Sequence, residues 1–288
     1  MRWMNSQLVG VLGALVCVTG VQAESHQVTV IKNVDYLPGV DYPAGKDRLD
    51  LYVPKGVTNV PVIVSLHGGA LSQGDRAEEV FVGQRFATAG YLTVVPSYRL
   101  SPAVAHPAHI QDVAAAFAWV KRHAGEHGGD SNRIMVIGHS AGAYLAALLA
   151  TDSRYLAAHK LSPADIRGLA LVSGFFWVDK PGVAPDRPKD VWGREQKAWV
   201  EASPARYLRA DLPPVLLIYT DGDEEWRKKQ NDDMAAALRA AGHKDVTVRQ
   251  IKGRTHMSVW TKMLDGESEE TSSSILLFAK RLFSESGK

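Results

Sequence analysis

The chain has 288 residues, 45% of them hydrophobic, a formal net charge of +2 and a single cysteine, Cys17. That length and apolar content suit one large α/β domain with a sizeable core, while 33 Lys and Arg against 31 Asp and Glu, with no basic run, argue against a nucleic-acid partner. The densest basic cluster, "RKK" at 227–229, follows "DGDEE" and reads as a mixed solvated surface.

The N-terminus differs from the rest. One arginine in "MRWMNSQ", the uncharged stretch "LVGVLGALVCV" (8–18) and the small residues Val21 and Ala23 ahead of Glu24 have the layout of a secretory signal peptide cut after Ala23. The apolar stretch is shorter than the ~20 residues a spanning helix needs. The expectation is a leader over 1–23, a secreted or periplasmic location and no stable membrane insertion after cleavage. Cys17 would leave with the leader, so the domain over 24–288 would have no disulfide, no thiolate nucleophile and no cysteine-ligated metal. Its chemistry then falls to Ser, His and carboxylates.

Beyond the leader, short apolar runs alternate with longer segments at helical spacing, the pattern of a mostly parallel sheet covered by helices. "VTVIKNV" (28–34) and "DRLDLYVP" (47–54) alternate polar and apolar residues and predict half-exposed antiparallel strands at one edge. "VPVIVSLHGG" (60–69) predicts a buried strand running into a glycine turn. "EEVFVGQRFATAG" follows as a helix stopped at Gly90, "YLTVVPSYRL" as a strand, and "HPAHIQDVAAAFAWVKRHAGEHGG" as a long helix with Pro107 near its start. "NRIMVIG" (132–138) predicts the next buried strand, and "AGAYLAALLA" a helix with no charged face, which belongs inside. "IRGLALVSG" (166–174) is a further strand. The segment 175–211, rich in Pro and Trp, predicts a small cap-like insertion in which Phe175, Phe176, Trp177 and Trp192 either line a pocket or pack against the sheet. "PPVLLIYT" (213–220), a helix ended by Gly242, "DVTVRQI" (245–251) and a closing helix from "SSSILLFAKRLF" complete the pattern.

"GHSAG" (138–142) sits between a strand and a helix. A tight turn there forces Ser140 into a strained backbone position with its hydroxyl exposed at the carboxyl edge of the sheet. A serine hydroxyl needs a base, and ten histidines are available. His106, His109, His123, His127 and His159 fall on helices or their ends, where surface and capping roles are the default, and His139 is a chain neighbour whose side chain should diverge from that of Ser140. His256 in "THMSVW" lies just beyond the strand 245–251, at the same edge as Ser140, and is the expected base. A carboxylate to orient it should follow "PPVLLIYT", where Asp223 is favoured and Asp221, beside Gly222, is held in reserve as a turn former. Backbone amides of Gly68 and Gly69 in "SLHGGA", with that of Ala141, are positioned for an oxyanion hole, and His67 orders that loop.

With these residues in hand, the sequence resembles the α/β-hydrolase family, within it the serine carboxylesterases of the hormone-sensitive-lipase type and the bacterial feruloyl-esterase-like branch. The resemblance rests on "LDLYVP", "HGGA", "SYRLSPAVAHPAHIQDVAAAFAWV", "GGDSNRIMVIGHSAG", "ASPARYLRADLPPVLLIYTDGD" and "THMSVW". It departs from the family pattern in "HGGA" for "HGGG" and in an acid loop without "D-x-x-V-P". It implies an α/β-hydrolase fold, Asp223 as the triad acid, and hydrolysis of small-molecule carboxylic esters, short-chain or aromatic, without a cofactor. Arylformamidases and acyltransferases share the same residues and stand as alternatives; a non-catalytic protein on this fold would normally have lost the nucleophile or the base.

Overall fold

The computed structural model describes residues 25–180, 190–265 and 269–284, so the expected leader over 1–23 lies outside them. Strands without polar alternation need cover on both faces, and the central ones have it. Eight strands, β1 (Val28–Asp35), β2 (Arg48–Pro54), β3 (Val60–Leu66), β4 (Leu92–Pro96), β5 (Gly129–His139), β6 (Gly168–Val172), β7 (Val215–Gly222) and β8 (Val246–Thr255), form one sheet in the order β1-β2-β4-β3-β5-β6-β7-β8. β2 is antiparallel to β1 and β4, and every other pairing is parallel.

Among the described residues the connecting helices are α1 (Val80–Thr88), α2 (Ala108–His123), α3 (Ala141–Thr151), α4 (Ser153–Ala157), α5 (Gln196–Glu201), α6 (Glu225–Ala240), α7 (Ser258–Thr261) and α8 (Glu270–Ser284). Because side chains alternate along a strand, β3 and β5 feed two cores. Val62, Val64, Ile134 and Val136 pack on one face with α2, α3 and α6. Ile63, Met135 and Ile137 pack on the other with Val82 and Phe86 of α1 and with Phe278 and Leu282 of α8. Every residue of α3 is buried, as a helix without a polar face requires.

The alternating strand "DRLDLYVP" is not half-exposed. β2 lies between β1 and β4, and Leu49, Asp50, Leu51 and Tyr52 are all buried; β1 alone forms the edge. Asp50 tolerates this position because its Oδ1 accepts the Asn33 amide at 2.9 Å and Arg76 Nε at 3.2 Å. Arg76 in turn donates to the Gly45 carbonyl at 3.0 Å and to Ser97 Oγ at 3.1 Å. A polar residue in an alternating pattern here marks a buried ion pair rather than a solvent face.

In the insertion, Phe175 stacks on Tyr144 of α3 with centroids 4.8 Å apart, and Trp192 meets Tyr144 edge-on at 5.8 Å. Trp192 Nε1 donates to Tyr144 Oη at 3.0 Å, and Tyr144 Oη donates to the Ala202 carbonyl at 3.0 Å. Phe175, Phe176 and Trp192 are therefore core: they cover the apolar helix α3.

Removing one partner of a buried ion pair leaves the other charge uncompensated. Asp50→Ala is expected to lower unfolding stability by about 3–5 kcal/mol, measured as a shifted urea midpoint at unchanged slope; a loss within experimental error would show that Asp75, 3.8 Å from Arg76 Nη1, suffices as its counter-charge.

Candidate active site

Ser140 lies at the junction of β5 and α3 with φ 54° and ψ −114°, a region that costs a non-glycine residue roughly 1–3 kcal/mol. The flanking glycines show what holds it there. A Cβ on Gly142 would stand 1.9 Å from the Leu66 carbonyl oxygen at the end of β3, and one on Gly138 would stand 2.4 Å from the carbonyl carbon of Gly142. The turn is thus pressed against the neighbouring strand at backbone contact distance. The Ser140 amide donates to Val172 O of β6 at 2.8 Å, which ties the turn to the sheet on its other side.

β8 runs on to Thr255, beyond the expected 245–251, and so delivers His256 directly from the strand end. His256 Nε2 lies 3.1 Å from Ser140 Oγ, and His256 Nδ1 lies 2.6 Å from Asp223 Oδ1. A neutral imidazole donating from Nδ1 to the carboxylate leaves Nε2 free to accept the serine proton. Asp223, just beyond β7, is buried; its Oδ2 accepts Ser173 Oγ at 2.5 Å and the Thr220 amide at 3.0 Å. Burial alone would raise its pKa, but the hydrogen bonds from His256, Ser173 and Thr220 outweigh it and hold the carboxyl below the usual range. Asp221 does something else: both its oxygens accept the Gly253 amide, at 2.9 and 3.1 Å, closing β7 on β8.

The loop after β3 approaches the same point. A Cβ on Gly68 would stand 3.5 Å from Ser140 Cβ, and Gly69 has φ +101° with the Gln73 carbonyl oxygen 2.0 Å from where its own Cβ would be. The amides of Gly68 and Gly69 have no acceptor among the described residues, and that of Ala141 opens α3, where first-turn amides lack intrahelical partners. Together with Ser140 and His256, Gly68 and Gly69 line a cavity of about 520 Å³. His67 holds the loop from behind: Nδ1 donates to the Gly68 carbonyl at 2.8 Å and the ring stacks on Tyr98 at 4.1 Å. Burial pushes its pKa down to about 4, so it is neutral.

Three supporting residues escaped the sequence reading. Ser173, just beyond β6, reaches Asp223 across a sequence gap of 50 residues. Arg227 in the first turns of α6 places Nε 3.7 Å from Asp223 Oδ1 and 3.2 Å from Glu224, and its Nη1 donates to the Ser173 carbonyl at 3.0 Å. His139 diverges from Ser140 as expected, yet its ring lies 4.7 Å from that of His256 and its Nε2 donates to the His256 carbonyl at 2.8 Å. Burial, helped by the nearby His256, lowers the His139 pKa to about 3, which leaves it a neutral prop. Its position in sequence was the signal: residue 139 must point to the opposite face of β5 from residue 138, toward the side where the β8 loop descends. His109 is also not at the surface; it is buried with Nε2 3.1 Å from Ser101 Oγ. Among the described residues no group of three or more His, Cys, Asp or Glu is placed to hold a metal ion.

The chain is similar to known esterases in sequence and in fold. Residues 49–162 match the family model BD-FAE. The chain is 26% identical to Esterase LipQ of Mycobacterium tuberculosis, over 83% of this chain and 63% of that protein, and 29% identical to Esterase LipC of the same organism, over 77% and 58%. It thus spans about three-fifths of the length of these relatives. Esterase B from Lactobacillus rhamnosis superposes with a TM-score of 0.77 over 90% of this chain and 87% of its own, at 21% identity. The chain has the α/β-hydrolase fold that Esterase B also has.

Proposed function

We propose that the protein is a serine carboxylic-ester hydrolase that works through an acyl-enzyme, with Ser140, His256 and Asp223 as its triad. The observation that carries this reading is the unbroken hydrogen-bonded line from Ser140 Oγ to His256 to a buried carboxylate, at 3.1 and 2.6 Å, with Ser140 and His256 lining a cavity of about 520 Å³. His256 takes the Ser140 proton as the oxygen attacks the ester carbonyl. The amides of Gly68, Gly69 and Ala141 receive the oxyanion, and the positive end of α3 adds to them. His256 then protonates the leaving alcohol and deprotonates the water that releases the acid. Asp223 remains ionised throughout and stabilises the imidazolium.

Two further points shape the reading. The cavity is in the range of small-ligand sites, roughly 300–1,000 Å³, which supports short acyl groups. Phe175, Phe176 and Trp192 pack on α3 and do not line the cavity, so they lend no support to an aromatic acyl pocket. The leader-like layout of residues 1–23 supports export, and N-terminal sequencing of the exported protein is expected to begin at Glu24; an intact Met1 on exported protein would refute cleavage.

Ser140→Ala is expected to lower kcat for p-nitrophenyl butyrate by roughly 10⁶-fold and to abolish labelling by a fluorophosphonate; retained hydrolysis discards the scheme. The two aspartates should separate cleanly. Asp223→Asn is expected to cost about 10⁴-fold in kcat, whereas Asp221→Asn, whose remaining oxygen can still accept the Gly253 amide, should stay within roughly tenfold of the parent. Steady-state kinetics giving the reverse order would reassign the acid.

A further inference from the structure

The cavity has a charge pattern that the triad does not use. Its charged walls apart from histidine are three carboxylates, Glu78, Glu79 and Glu224, and one guanidinium, Arg227. Arg227 is already engaged by Glu224, Asp223 and the Ser173 carbonyl. Glu78 is exposed and in no ion pair among the described residues. Glu79 is 5% exposed, and its two oxygens share one donor, Trp260 Nε1, at 2.9 Å each. No cation among the described residues faces it; its charged neighbour is Glu78, which repels. A buried carboxylate with one neutral donor for two oxygens, lining a substrate cavity, has unfilled acceptor capacity and no counter-ion. The remaining lining sets Phe81, Met257 and the edge of the largely buried Trp260 beside the polar side chains of Gln73 and Thr261.

We propose that this cavity selects esters whose acyl or alcohol portion carries a cationic group, a protonated amine or a quaternary ammonium, received by Glu79 with Glu78 against the Phe81 and Trp260 wall. The cation would supply the counter-charge that the protein does not, and aromatic faces add to its attraction. An anionic substituent would meet two unpaired carboxylates and be rejected. The proposal rests on the ester-hydrolase reading of Ser140 and names the substrate class of that site.

The test compares three thioacetates with a common thiol readout: acetylthiocholine, its uncharged isostere S-(3,3-dimethylbutyl) thioacetate, and S-acetyl-3-mercaptopropanoate. Assays run at pH 8, because burial raises Glu79 to about 7 and the carboxylate is ionised above that. At low ionic strength kcat/KM is expected to favour the cation over the isostere by roughly tenfold and the isostere over the anion by a similar factor, both ratios shrinking in 0.5 M salt. Glu79→Gln keeps an acceptor for Trp260 but removes the charge, and should cut the cation-to-isostere ratio at least about fivefold. Should that variant fail to fold, Glu78→Gln at the exposed position carries the same comparison, with an expected fall of about twofold. Equal kcat/KM for cation and isostere in the parent, or a ratio unmoved in the folded variants, overturns the proposal. If p-nitrophenyl acetate is hydrolysed and a fluorophosphonate labels Ser140 while the ratio is flat, only the charge selection falls; if neither reaction occurs, the hydrolase reading falls with it.

Discussion

The contact between Gly142 and the Leu66 carbonyl holds the site together. β3 and β5 are parallel neighbours with Leu66 and Gly138 in register, so both chains leave the sheet at the same edge. Only the absence of side chains at 138 and 142 lets the turn around Ser140 fold back onto the end of β3. That closeness also brings the Gly68–Gly69 loop beside the first turn of α3. The next strands in the order, β6, β7 and β8, then present Ser173, Asp223 and His256 along the same carboxyl edge, where open α/β sheets place their ligands. A side chain at 142 would therefore displace more than the serine: it would separate the amides of Gly68 and Gly69 from the Ser140 hydroxyl.

Two buried carboxylates near this edge illustrate how hydrogen bonding decides charge. Asp223 and Glu79 are both almost wholly removed from solvent. Asp223 accepts from an imidazole, a hydroxyl and a backbone amide, and its pKa falls. Glu79 accepts from one indole N–H, beside the like charge of Glu78, and burial raises it to about 7. The first arrangement fits a group that must remain anionic beneath a histidine. The second leaves two carboxylate oxygens sharing a single neutral donor. Between them stands a stack of rings, Trp260 on His139 at 5.5 Å and His139 against His256 at 4.7 Å, so the anchor of Trp260 on Glu79 also helps to fix the imidazole from behind.

Local pattern explains which parts of this structure were legible in the amino-acid sequence. Continuous apolar runs at 60–66 and 132–138 can only be strands covered on both sides, and they are. G-x-S-x-G after such a run implies a strained turn, and Ser140 has the positive φ that this requires. An aspartate before glycine tends to make a turn, which favours Asp223 over Asp221 as the acid; Asp221 in fact stands at the end of β7 and accepts the Gly253 amide of β8. The burial of β2 was not legible, since alternation looks the same whether the polar side chain meets water or Arg76. Ser173 and His139 were missed for a related reason. Their partners lie 50 and 117 residues away, and no spacing rule connects them.

The aromatic insertion resolves on the same physical grounds. A helix that starts at the nucleophile, has no charged residue and is buried along its whole length must be covered on the side away from the sheet. Phe175, Phe176 and Trp192 supply that cover, and the hydrogen bonds linking Trp192, Tyr144 and Ala202 fix its register on α3. Large aromatic side chains bury much area per residue and gain roughly 0.5–1.5 kcal/mol more per well-oriented pair. Phe175, Phe176 and Trp192 are therefore explained by α3 rather than by a ligand, while Trp177 is only partly buried against that core. The walls of the cavity come from elsewhere, from the loop after β3, the start of α6 and the short helix after His256. Those segments are charged and only partly apolar, so in this chain the polar text around "DRAEEVF" and "DGDEEWR", rather than the tryptophan-rich text, lines the cavity.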